Sequence, residues 1–244
     1  VAPPAEAQPR GEWWLGFQDP ALAELVQRAG SANTSIQQAA GRLAEARSLL
    51  RSADAARSVQ VGASAGVTLQ AGAATTGSAT PATLGTAGLN VSYELDLFGK
   101  LSQTSDAARL DADARAALLQ STRLMVQADV AQTYLQLRAA QAELQLVNES
   151  LAAYQDTLRL TQRRQQAGDV AELDVARVQT EVAATESEAL ALQRQQALLA
   201  NALAVLVGEV PGSFALPAAA GDAALPVIPP GVPGTVLARR PDVS

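Results

Sequence analysis

From Ser102 to Gln166 the chain contains neither proline nor glycine. At about 1.5 Å per residue, an unbroken helix over that stretch is about 100 Å long. Globular helices run to roughly 12 residues on average, so a helix of this length needs partners along its whole side. The spacing of its apolar residues supplies them. Leu137, Ala140, Leu144, Val147, Leu151, Tyr154 and Leu158 recur every three or four residues, as in a coiled-coil seam. A second seam runs through Leu110, Ala114, Ala117, Leu124, Ala128, Ala131 and Leu135.

Gly168 breaks this helix and Asp169 can cap the next, which runs from about Ala171 to Val207. It carries one seam through Val175, Val178, Val182, Thr185, Ala189, Leu192, Leu199, Leu203 and Leu206. Its other face, with Ala176, Ala183, Leu190, Ala197 and Ala204, is also small and apolar. Helices with two seams have neighbours on two sides. Composition agrees: aromatics are 3% of the chain, and an apolar content carried by Ala, Leu and Val suits thin layers of close-packed helices.

Upstream, Asp19-Pro20 is a helix start, with Asp as cap and Pro in the first turn. A short helix ends near Gly30. A second, from about Ser31–Asn33 to Arg57, carries Ile36, Ala39, Ala40, Leu43, Ala46 and Leu50 on one face. The period then changes to two. Val59, Val61, Ala63, Ala65, Val67 and Leu69 alternate with small polar residues. After a Gly/Ala/Thr/Ser loop over 71–86, Ala87, Leu89, Val91, Tyr93, Leu95 and Leu97 do the same. Each run is about 11 residues, the length of a tilted strand crossing a bilayer. A soluble hairpin shows the same alternation and is the commoner cause of it. The small polar face, poor in Lys and Arg, and the long flanking helices point the other way.

The lengths add a further constraint. About 27 residues of helix before the hairpin and about 37 after Gly168 together match the roughly 65 of the long helix. The two shorter helices can therefore stack end to end as one partner for the long one.

The net charge of −6 is modest, and Lys100 is the lone lysine, so no basic stripe for nucleic acid exists. The chain has no cysteine and no histidine, which removes thiolate metal sites, the commonest metal ligand and every Ser-His triad. Gly62-Ala63-Ser64-Ala65-Gly66 matches a nucleophile elbow, but it lies mid-strand and lacks a histidine partner. Glu94 and Asp96 share a strand face without a cleft or an aromatic sugar platform. No enzyme is expected. No apolar run of about 18 residues is present, and the Pro/Ala-rich start to Arg10 reads as the beginning of a mature or trimmed chain.

Several stretches, in order, resemble the TolC-like outer-membrane factor family, in particular its OprM/NodT-type efflux lipoproteins. They are Trp13-Trp14 with Phe17 and Asp19-Pro20, and Tyr93-Glu-Leu-Asp-Leu-Phe-Gly-Lys100. Arg163 to Gly168 follows, leading into Glu172-Leu-Asp-Val175, and then Leu206-Val-Gly208. The last are Ile228-Pro-Pro-Gly-Val-Pro233 and Arg239-Arg-Pro-Asp-Val243.

The resemblance implies a mainly α fold with a β-hairpin: long antiparallel coiled-coil helices of an α-barrel, plus two transmembrane strands of an outer-membrane β-barrel. It implies a homotrimer when full length, each protomer holding two structural repeats, of which this chain is the first. A second repeat is then expected beyond Ser244, and a lipid anchor on the natural precursor. Expected partners are a periplasmic adaptor (membrane fusion protein), an inner-membrane efflux pump and outer-membrane lipid. No cofactor, metal or nucleic acid is expected.

The corresponding division is an N-terminal extended segment over 1–19, a short equatorial helix and an upper α-barrel helix over 20–57, and a transmembrane hairpin over 58–97 with an external loop at 71–86. The long helix, a tip turn near 168 and the return helix occupy 98–207, and a Pro/Gly-rich linker 208–244. Val59, Val61, Val67, Leu69, Leu89, Val91, Tyr93 and Leu95 are expected to face lipid, and Glu94 and Asp96 the aqueous lumen. Arg163, Arg164, Gly168, Asp169, Glu172 and Asp174 are expected at the periplasmic tip that meets the adaptor, although Asp169 and Ala171 depart from the apolar and Ser/Thr residues anticipated there. The resulting function is a passive exit duct of a tripartite efflux system. The rival is a structural or adaptor coiled coil capped by a soluble hairpin.

Overall fold

The computed structural model describes residues 12–70, 82–212, 214 and 216. Much of the N-terminal segment, most of the loop at 71–86, most of the linker from 208, and the motifs at 228–233 and 239–243 lie outside the described residues. A 3-10 turn over Trp13–Phe17 precedes α1 (Pro20–Ala32) and α2 (Thr34–Ala56). The hairpin is β1 (Gln60–Gln70) and β2 (Ala82–Ser92), followed by α3 (Lys100–Gln166) and α4 (Glu172–Leu206). α3 is one continuous helix of 67 residues. Contacts divide the chain into two compact units, Val1–Ala39 with Leu119–Ser244, and Ala40–Leu118.

In the first unit, α1 buries Leu22, Leu25, Val26 and Ala29, the one-sided spacing of an amphipathic helix. α3 contributes Val126, Val130, Ala131, Tyr134, Leu137 and Ala140, and α4 Ala189, Leu192, Leu203 and Ala204. The mixture of Ala with Leu and Val makes this core thin, as the composition requires.

Asp19 ties α1 to α3. Its Oδ1 accepts from the amides of Ala21 (2.9 Å) and Leu22 (3.3 Å), capping α1, and its Oδ2 accepts from the Tyr134 hydroxyl at 2.5 Å. Arg138 donates to the same hydroxyl at 3.0 Å, with its guanidinium 5.0 Å from the ring centroid. Tyr134 is fully buried. Burial raises its pKa above the usual tyrosine value, and the bond to Asp19 adds to the rise, against an opposing effect of Arg138.

A raised folded-state pKa favours the neutral phenol. That stabilisation is whole below about pH 10 and is lost as the pH climbs through the raised value. Tyr134→Phe is therefore expected to lower stability by about 1–2 kcal/mol at pH 8, since it removes a hydrogen bond to a charged acceptor. It should also flatten the loss of stability above pH 10. Thermal melts of the parent and the variant at pH 8 and above pH 10 measure both effects, with Asp19 and Arg138 as the charged groups facing the phenol.

α4 and α2 meet end to end in this unit, as the length arithmetic anticipates. Asn33 is buried between them. Its Oδ1 caps α2 by accepting from Ser35 (2.9 Å) and Ile36 (3.3 Å), while its Nδ2 donates to the Leu206 carbonyl at the C-terminus of α4 (2.9 Å). One side chain thus satisfies unpaired backbone groups of two helix ends. Gly208 closes α4 in the left-handed region (φ +77°), beside Ala32. Arg28 pairs with Glu209.

In the second unit, Leu43 and Ala46 of α2 and Ala112 of α3 are buried, and Ser105 donates to Asp54. The hairpin is a two-stranded antiparallel ribbon whose register sets Gln60 opposite Ser92, Ala65 opposite Ala87 and Leu69 opposite Thr83.

β2 therefore lies over 82–92 instead of the 87–97 anticipated from alternation. The parity of Tyr93, Leu95 and Leu97 prolongs the pattern, but β1 begins at Gln60, so residues past Ser92 have no partner on it. At the other end, Thr83 to Thr86 read as loop by composition, yet they pair with Gly66 to Leu69.

Candidate functional site: a bare ribbon and a helix turn

On the ribbon, cross-strand partners share a face. Val61, Ala63, Ala65, Val67 and Leu69 lie on one face with Val91, Leu89, Ala87, Gly85 and Thr83. The other face carries Gly62, Ser64, Gly66 and Thr68 with Asn90, Gly88, Thr86 and Leu84. There the hydroxyls fold back onto backbone: Ser64 donates to the Gly88 carbonyl (3.5 Å) and Thr86 to that of Gly66 (3.3 Å). Ser64 of the elbow-like motif is thus an ordinary strand residue.

The apolar face is uncovered. Val61, Val67, Leu69, Leu89 and Val91 are each at least two-thirds exposed, Leu89 reaching 82%. At about 25 cal/mol per Å2, such a surface is costly in water. A lone two-stranded ribbon is also marginal there, with both outer edges unpaired. Its chemistry suits apolar surroundings and further strands.

Five anticipated site residues fall off the paired strands. Val59 precedes β1, while Tyr93, Glu94, Leu95 and Asp96 follow β2. Glu94 and Asp96 consequently do not share a strand face. Asp96 instead serves the helix that follows, where its carboxylate accepts from the amides of Leu101 (3.2 Å) and Ser102 (2.8 Å), at the start of α3. A carboxylate there satisfies unpaired amides and the positive end of the helix dipole.

The anticipated tip residues come together at the turn between α3 and α4. Gly168 has φ +82°, its amide donates to the Gln165 carbonyl (3.0 Å), and that of Asp169 donates to the Arg164 carbonyl (2.9 Å). This double bond pattern is the Schellman close of a helix, which needs a left-handed residue where glycine stands. The Ala171 amide donates to Asp174 Oδ2 (3.3 Å), and Asp174 lies 3.8 Å from Arg177. Ala171 itself offers no side-chain oxygen, so the start of α4 is capped from one side only. Arg163 and Arg164 end α3, and Glu172 and Asp174 begin α4, each sign complementing its helix end. Arg163, Arg164, Gly168, Asp169 and Glu172 are exposed, and Asp174 is half-buried.

The seams divide unequally. Leu144, Val147, Leu151 and Leu158 of α3 are half-buried, whereas Leu110, Ala114, Leu124 and Ala128 are exposed. Ala176, Ala183, Leu190 and Ala197 of α4 are exposed too. Among the described residues no helix is long and apolar enough to cross a membrane.

Known proteins share this arrangement. Residues 25–209 match the family described as outer membrane efflux protein. The pyoverdine export outer membrane protein OpmQ of Pseudomonas putida is 33% identical over 100% of this chain and 54% of its own length. The toluene efflux pump outer membrane protein TtgF of Pseudomonas putida is 31% identical over 95% of this chain and 49% of its own. Among solved structures, the outer-membrane channel OprN superposes with a TM-score of 0.81 at 29% identity, over 99% of this chain and 55% of that one. VceC of Vibrio cholerae superposes at 0.73 with 30% identity, over 89% and 55%. The chain spans about half the length of the curated relatives it matches. With most of the chain matched by the family and a third of its residues shared with a relative along its whole length, it belongs to the outer membrane efflux protein family.

Proposed function

We infer that the full-length protein is the outer-membrane exit duct of a tripartite efflux system. It is a passive conduit for small molecules, with its α-barrel in the periplasm. An inner-membrane pump supplies the energy and a periplasmic adaptor joins pump to duct. The observation that carries this reading is the bare ribbon: two strands of 11 residues with one wholly uncovered apolar face. Lipid covers such a face, and strands of other repeats pair its edges into a closed barrel.

The exposed seams of α3 and α4 support the same assembly, because other copies and repeats would cover them in a ring of helices. The exposed turn at Arg163, Arg164, Gly168, Asp169, Glu172 and Asp174 is the surface offered to the adaptor. The duct catalyses no reaction and uses no cofactor, and a lipid on the precursor's N-terminus anchors it further. The relatives' names, pyoverdine export and toluene efflux, support small organic cargo.

The full-length protein, purified in detergent, is expected to be trimeric and to conduct ions in planar bilayers. A monomer without conductance overturns the reading.

A further inference from the structure

At the passage from the ribbon into α3 four residues stand together, namely Leu95, Leu97, Phe98 and Lys100, the last being the first residue of α3, and only Leu95 belongs to the expected lipid-facing set. All are exposed, and Phe98, at 93%, is the most exposed of the large apolar side chains in the described residues. Their display is built into the turn. The Leu97 amide donates to the Leu95 carbonyl at 3.0 Å, and the Asp96 carboxylate holds the amides of Leu101 and Ser102. Gly99 turns the chain in the left-handed region at φ +73°, and its carbonyl accepts from the Gln103 amide at 2.9 Å. The segment is pinned at both ends, with the acidic residue turned inward and the apolar ones outward. Lys100 follows Phe98 by two residues and has no carboxylate partner among the described residues.

We propose that this turn is an interfacial anchor seated at the periplasmic headgroup boundary of the bilayer. Phe98, Leu95 and Leu97 enter the edge of the acyl region, and Lys100 reaches lipid phosphate. The proposal rests on the duct reading, since it needs the ribbon to be in lipid. Two observations choose lipid over another protein surface. The turn continues directly from the apolar ribbon, where β2 ends at Ser92. A ring beside an unpaired cation also matches the chemistry of a membrane interface, with its apolar edge and its phosphates. The pinned turn fixes how far the ribbon sinks and where the helical part begins.

Depth-dependent fluorescence quenching tests the proposal in the full-length protein, with Trp13 and Trp14 replaced by Phe. Phe98→Trp, Leu97→Trp and Leu89→Trp are each reconstituted in phosphatidylcholine vesicles brominated either near the headgroup or near the bilayer centre. Emission is taken as the difference from the parent. Leu97→Trp supplies a second position should one variant assemble poorly.

For Phe98→Trp and Leu97→Trp, the shallow bromines are expected to quench on the order of twofold more than the deep ones. The order reverses for Leu89→Trp. Deep quenching at Leu89 with none at positions 97 and 98 overturns the anchor and leaves the duct intact, the turn then resting on protein or in water. Stronger deep than shallow quenching at 97 and 98 also overturns it. No quenching at any of the three positions removes the lipid-facing ribbon, and the anchor with it.

Discussion

Val67→Arg combined with Leu89→Arg in the full-length protein is expected to abolish trimer assembly in the outer membrane. Both positions lie on the apolar face, each within two residues of the middle of its 11-residue strand, so both reach the bilayer midplane if the ribbon spans it. An arginine on the lipid face there costs about 2–4 kcal/mol, set against folding stabilities of only about 5–15 kcal/mol. The proposed trimer would carry each change three times. Thr68→Arg, on the opposite face, is the control. On the duct reading that face meets water, so this variant is expected to assemble. The same pair of arginines in a soluble hairpin would be nearly silent, because both side chains are already exposed. Heat-resistant trimer in outer-membrane fractions measures the difference, with a drop of at least about tenfold expected for the pair. Parent-like yield would mean that lipid does not touch this face.

The helices were the legible part of the sequence, for a physical reason. Helix boundaries are written in local chemistry: Asp19-Pro20 begins α1, and the absence of Pro and Gly keeps α3 whole. Gly168 and Gly208 end α3 and α4 because each helix closes through a left-handed residue. Strand register is different, since it is settled between two segments. Alternation through Tyr93, Leu95 and Leu97 placed β2 five residues too late, because parity cannot show where a partner strand starts. The same error set Asp96 on a strand face with Glu94, whereas it lies past β2 and its carboxylate caps α3. Tyr134 is a buried aromatic of α3 that no local motif marks. Its hydroxyl's link to Asp19, 115 residues away, leaves no local trace. Asn33 hides its role likewise: its capping of α2 is local, but its bond to Leu206 crosses the chain. The turn between α3 and α4 was legible because Arg163 to Asp174 are contiguous, and the apolar face of the ribbon because every second residue repeats it.

Gly208→Ala is expected to cost far more than Gly168→Ala, although both glycines close helices with nearly equal φ, +77° and +82°. Each substitution puts a Cβ into the left-handed region, at about 1–2 kcal/mol. At Gly168 nothing lies within 4 Å of the new Cβ, so the backbone term stands alone. At Gly208 the Cβ would sit 2.8 Å from both the Cβ and the carbonyl oxygen of Ala32. That oxygen is backbone at the end of α1 and cannot swing aside as a side-chain tip would. Relief requires α1 and α4 to separate, and the adjoining Asn33–Leu206 hydrogen bond of 2.9 Å lengthens with them. Overpacking of this kind adds about 1–3 kcal/mol, so Gly208→Ala should total about 3 kcal/mol or more. Thermal loss of helical circular dichroism ranks the two variants, with Gly208→Ala melting lower by several degrees. Gly168→Asn separates the causes further, since asparagine tolerates the left-handed region and should recover most of the loss at the tip. The same residue at Gly208 would ease the backbone part alone and still meet Ala32, so most of the loss remains. Equal losses for the two alanine variants would mean that α1 and α4 are not closely apposed at this junction.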